Sequence, residues 1–173
     1  KNDKKKHAYP TKQKPTYTRK NYWTAERIEF SDRQRPQPEQ SSTVLAGFVF
    51  ANGSIVNEIP YDPEISFFGE EICFSMRAWT RGWDIYSPSK VIVYHFYLRT
   101  EYKKVWHDKN VRPISWEDLE KYSKEKQMRV LCGIEKGIYG AGDYRHLKLY
   151  EKLVGYNFKE IYGLTDLDNG GTI

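Results

Sequence analysis

Thr43-Val44-Leu45-Ala46-Gly47-Phe48-Val49-Phe50 is an unbroken apolar run of strand length. With no polar residue in alternate positions, it predicts a strand buried on both faces, the kind found where helices cover a sheet on either side. Asn52-Gly53 then signals a turn, Ser54–Ile59 a short helix or strand, and Pro60-Tyr61-Asp62-Pro63 an extended loop. Phe67-Phe68-Gly69-Glu70-Glu71 opens a helix predicted to run through Arg81. Ile72, Met76 and Trp79 recur at i, i+4 and i+7 as its buried face. Acids in its first turn suit the helix dipole, and Gly82 fits the position just past its end. Trp83–Tyr86 and Val91–His95 read as two further strands about the Ser87-Pro88-Ser89 turn. Ser115-Trp116-Glu117-Asp118 is a near capping box for a second helix ending about Gly133. Gly137–Ile161 reads as a loop and a short helix. Buried strands alternating with helices predict an α/β domain with a mixed sheet and flanking helices.

At 173 residues the chain has room for one domain or a large piece of one. Its net charge of +5 is unevenly spread: the first twenty residues hold eight Lys/Arg against Asp3, a local +7, which leaves the remainder near −2. Residues 1–41 are accordingly expected to form a basic, largely irregular leader, with a short strand near Tyr22–Phe30 packing on the body. The folded unit is placed at 42–162 and a flexible tail at 163–173. Lys4-Lys5-Lys6 and the aromatics of Tyr17–Trp23 could grip nucleic acid, but a solvated end accounts for them, and nucleic acid is not the expected partner. Cys73 and Cys132 lie far apart with no CxxC spacing, which suits a reducing, cytoplasmic setting. No apolar run approaches the ~20 residues of a membrane span.

Three features carry chemistry. Gly69-Glu70-Glu71 sets carboxylates at a loop-to-helix junction, where they can accept hydrogen bonds from sugar or acceptor hydroxyls or act as a base; equally, they can simply complement the helix dipole. His95 ends the apolar stretch Val91-Ile92-Val93-Tyr94 and is followed by Arg99. A histidine there can ligate a divalent metal and an arginine can hold phosphate, although such a histidine is often a satisfied core residue. Tyr61-Asp62-Pro63 can close over a substrate or form a turn.

Taken together, several stretches resemble the glycosyltransferases that attach N-acetylglucosamine to hydroxyproline of the Skp1 protein. They are Ala46–Phe50, Pro60–Pro63, Phe67–Ile72, Arg77–Asp84, Val93–Arg99, Ile138-Tyr139-Gly140-Ala141-Gly142, and the closing Leu149-Tyr150-Glu151 with Gly155–Phe158. The likeness covers roughly residues 42–160. A more distant one is to the polypeptide N-acetylgalactosaminyltransferases, whose Gly-Gly-Glu-Asn segment corresponds to Phe68-Gly69-Glu70-Glu71 and whose His–Arg ending corresponds to His95 and Arg99.

The resemblance implies a GT-A, Rossmann-like glycosyltransferase fold and retaining transfer from a UDP-sugar, UDP-GlcNAc or a related hexose donor, to a hydroxyl acceptor such as protein hydroxyproline. It implies Mn²⁺ or another divalent cation with His95 as ligand, and Glu70 and Glu71 as catalytic groups. It also implies Tyr61, Asp62, Gly69, Trp79 and Arg99 at the substrates. The metal-binding Asp-x-Asp of such enzymes has no counterpart before Ser42. Asp166-Leu167-Asp168 follows the matched region and is read as a decoy, so the chain is expected to hold the C-terminal half of the catalytic domain. The competing expectation is a non-catalytic carbohydrate- or protein-binding remnant.

Overall fold

The computed structural model describes residues 12–28, 37–93 and 114–164. Its centre is helix α2 (Glu70–Thr80), in which every residue from Ile72 to Thr80 is buried. A helix covered on all sides must satisfy its polar side chains locally. Thr80 Oγ1 donates to Met76 O at 2.8 Å, Ser75 Oγ donates to Glu71 O, and the Arg77 guanidinium reaches Pro60 O and Ile138 O. The expected face Ile72, Met76 and Trp79 is buried at its predicted spacing. Gly82 takes φ +98° just past the helix end, as a C′ glycine does.

Around α2 lie the hairpin β1 (Lys12–Tyr17) and β2 (Trp23–Ile28), the pair β3 (Glu39–Ser41) and β4 (Ile85–Ser87), and the short α1 (Ile55–Glu58). The rest is α3 (Trp116–Leu131), a 3₁₀ turn Gly137–Tyr139, α4 (Leu147–Val154) and α5 (Phe158–Ile161). The α3 cap forms as expected, Ser115 Oγ accepting from Asp118 N at 3.0 Å.

The α/β character holds, but the sheet does not take the expected form. Among the described residues the strands make two separate antiparallel pairs rather than one mixed sheet. Thr43–Phe50 is not a strand. Thr43 is buried, but Leu45, Phe48 and Val49 are about 40% exposed and Phe50 is 90% exposed. The physical reason is that, among the described residues, no strand stands beside it. Its amides are taken by side chains, Val44 N donating to Ser75 Oγ and Ala46 N to Glu71 Oε1, and a turn closes from Phe48 N to Leu45 O at 3.0 Å. Val91–Val93 likewise carries no strand, and the rest of that expected element lies outside the described residues.

The span expected to be an irregular leader instead contains three strands, and Trp23 on β2 is 1% exposed. Trp23 Nε1 donates to Tyr162 Oη at 3.0 Å, and its ring meets Tyr156 and Phe158 edge-on at 5.1 and 5.6 Å. The hairpin is thereby tied to the last turns of the domain by a buried aromatic cluster. Among the described residues no helix is long and apolar enough to cross a membrane.

Candidate functional site

The N-terminus of α2 gathers four of the eight expected residues, Gly69, Glu70, Glu71 and Tyr61. Gly69 precedes it with φ +84°, a conformation L side chains rarely adopt. A Cβ on Gly69 would stand 2.0 Å from Gln127 Oε1. Gln127 is itself 2% exposed and cannot swing aside freely, because its Nε2 donates to Phe68 O at 2.7 Å and to Ser123 Oγ at 2.9 Å. Gly69 therefore shapes the junction through its backbone. Gly69→Ala is expected to cost about 2–3 kcal/mol, a fall in Tm of about 4–12 °C by thermal unfolding; an unchanged Tm would contradict this reading of the junction.

Glu70 and Glu71 open the helix, both partly buried. Burial, with the neighbouring Glu71 charge second, pushes the Glu70 carboxyl up to about 7. Burial also raises Glu71, opposed by the hydrogen bond it accepts from Ala46 N. Tyr61 stands beside them. Its ring is half exposed and stacks on Phe74 at 5.1 Å and 24°, and its hydroxyl is raised by burial and then by the charges of Glu70 and Glu71. Two carboxylates and a half-exposed aromatic thus share one open corner, where rings pack on the apolar face of a sugar and carboxylates accept from its hydroxyls. Behind Phe74 lies an apolar cavity of about 380 Å³, walled among others by Val44, Leu45, Phe48, Trp83 and Ile92.

Asp62 and Trp79 sit differently. Asp62 is 6% exposed; its Oδ1 accepts from Glu64 N at 3.0 Å, and its Oδ2 lies 3.7 Å from Lys126 Nζ. Those are the contacts of a turn-forming carboxylate anchored to α3. Trp79 is 9% exposed under the Arg145 guanidinium, 5.0 Å from its ring centroid, and about 13 Å along the helix from the carboxylates. His95, Arg99 and the Asp166-Leu167-Asp168 motif lie outside the described residues. Among the described residues no three His, Cys, Asp or Glu side chains come together as a metal site.

Sequence reasoning missed Ser75, whose Oγ accepts from Val44 N and lies 3.2 Å from Thr43 Oγ1 beneath the site. A signal existed: Ser75 is four residues after Glu71 and so shares its helix face.

A family model described as Glycosyltransferase (GlcNAc) matches residues 5–136, which is 132 of the 173 residues. The match takes in the basic segment before Ser42 as well as the carboxylate corner. Neither the curated proteins nor the solved structures compared include a match.

Proposed function

The chain belongs to the glycosyltransferase (GlcNAc) family, and from that premise we propose that it transfers N-acetylglucosamine or a related hexose from a UDP-sugar to a hydroxyl acceptor. The transfer site in this proposal is the corner formed by Glu70, Glu71 and Tyr61. The observation that carries it is the Glu70 carboxyl, partly buried at a helix start and pushed up to about 7. The acceptor oxygen must give up a proton as it bonds to the sugar and the diphosphate departs. A carboxyl that titrates near neutrality is suited to hold that hydroxyl or take its proton.

The finer reading rests on the resemblance. It comprises a GT-A domain, retention of configuration, protein hydroxyproline as a candidate acceptor, and a cytoplasmic setting, which the two free, buried cysteines suit. It also includes Mn²⁺ with His95 as a ligand and Arg99 at the diphosphate; a divalent ion would offset charge on the departing nucleotide. The described residues do not themselves gather a ligand set. Calorimetric titration of UDP into the chain, with and without Mn²⁺, tests this part. Mn²⁺-dependent binding weakened about tenfold or more by His95→Ala is expected. Equal binding by wild type and His95→Ala would overturn the histidine's role, and a folded chain that binds no UDP would favour a non-catalytic binder.

A further inference from the structure

The two adjacent glutamates are not equivalent. Glu71 is already engaged: its Oε1 accepts from Ala46 N at 2.8 Å. One turn along the same helix face, Ser75 Oγ accepts from Val44 N at 2.9 Å, lies 3.2 Å from Thr43 Oγ1 and donates to Glu71 O. From α4, Tyr150 Oη donates to Ser42 O at 2.7 Å. The stretch from Ser42 to Ala46 is therefore pinned at three points to two helices, with Glu71 the outermost pin. Beyond it the chain turns at Leu45–Phe48 and walls the apolar cavity, whose Phe74 is the ring on which Tyr61 stacks. Glu70 has no hydrogen-bond or ion-pair partner among the described residues, and the titratable groups whose fields it shares are Glu71, Tyr61 and the buried Cys73.

We propose that Glu71 is a positioning residue, fastening the Val44–Phe50 wall to α2 through Ala46, and that Glu70 is the carboxylate left free to meet a substrate hydroxyl. The proposal deepens the transfer-site reading and rests on it for the word substrate; the fastening itself does not depend on it. An apolar segment with no neighbouring strand among the described residues needs such side-chain acceptors for its amides. When ionised, Glu71 also places a negative charge next to Glu70, so it influences how readily Glu70 loses its proton without touching the acceptor.

The variants separate these roles. Glu71→Ala and Ser75→Ala each remove one acceptor from the wall, and each is expected to speed hydrogen exchange of the Val44 and Ala46 amides by about tenfold or more. Glu71→Gln keeps an acceptor oxygen but removes the charge. Exchange should stay slow, while the Glu70 carboxyl, followed by carbon NMR, titrates at lower pH than in wild type. Glu70→Gln should leave exchange of both amides unchanged. With UDP-GlcNAc and Mn²⁺ as the probe, Glu71→Gln is expected to retain more turnover than Glu70→Gln. Unchanged amide exchange in Glu71→Ala would overturn the fastening. Loss of turnover in Glu71→Gln as deep as in Glu70→Gln, with the amides still protected, would overturn the division of roles and make Glu71 a substrate contact. Absence of turnover in the folded wild type would count against the transfer reading, and exchange and carboxyl titration would still decide whether Glu71 is the fastener.

Discussion

Replacing Arg77 with leucine is expected to lower stability by about 3 kcal/mol, a fall in Tm of about 6–12 °C. The guanidinium is 1% exposed at the centre of α2. Its Nη2 donates to Pro60 O at 2.8 Å and to Ile138 O at 2.9 Å, and the Tyr139 ring lies 5.3 Å from its Cζ. One side chain thus ties the loop before the candidate site to the 3₁₀ turn after α3. Burial, followed by the neighbouring Arg81 charge, lowers the Arg77 pKa, while Asp62 acts in the opposite direction. Leucine would leave the Pro60 carbonyl without its donor, the Ile138 carbonyl with only Arg81 Nη2 at 3.1 Å, and a gap where the guanidinium stood. Removing a charge that has no carboxylate in ion-pair contact among the described residues returns part of that loss, which is why the figure is not larger. Arg77→Lys should recover little, since a lysine Nζ ends one bond short of Arg77 Nη2, the nitrogen that donates to both carbonyls. Urea unfolding of both variants checks this, and a midpoint equal to wild type would refute the central role of Arg77.

Glu70→Gln is expected to have opposite effects on activity and on stability. Turnover should fall about a hundredfold or more, the scale of losing a positioned acid–base group. Stability should rise at alkaline pH. The folded carboxyl titrates at about 7 against an ordinary 4.5, so the folded chain binds this proton more tightly than the unfolded chain. Between those two values wild-type stability therefore falls as pH rises. The glutamine variant lacks that contribution. It should match wild type near pH 4.5 and exceed it at pH 8 by about 1 kcal/mol, a figure reduced for solvent screening of a partly exposed group. Thermal unfolding at the two pH values reads the difference, and parallel profiles would show that Glu70 is not held in an unfavourable charged state. A residue whose removal stabilises the fold while abolishing activity is kept for function, not for folding.

How much of this was legible before the fold was known follows from what is local. Helix α2 and its boundaries were readable because periodic apolar residues, first-turn acids and Gly82 act within a few residues of one another. The α3 cap was readable for the same reason. The run at Thr43–Phe50 misled because apolar composition states that a segment can be buried as a strand, not that another strand will stand beside it. The hairpin was only half seen. Lys12–Tyr17 has no strand-like apolar pattern, and the burial of Trp23 depends on Tyr162, 139 residues away. At the site, the carboxylates could be picked out by type and place. The different duties of Glu70 and Glu71 could not, because they arise from a backbone amide 25 residues earlier in the chain. Asp62 and Trp79 were attractive by type, but their contacts tie them to Lys126 and to the core under Arg145.

The most direct test is UDP release from UDP-GlcNAc in the presence of Mn²⁺, measured on wild type and Glu70→Gln side by side, with matched folding confirmed by circular dichroism. Measurable turnover in wild type, reduced about a hundredfold or more in Glu70→Gln, is the result expected if the carboxylate corner at the head of α2 is the transfer site. Equal turnover by the two chains would contradict it and move the chemistry elsewhere in the fold.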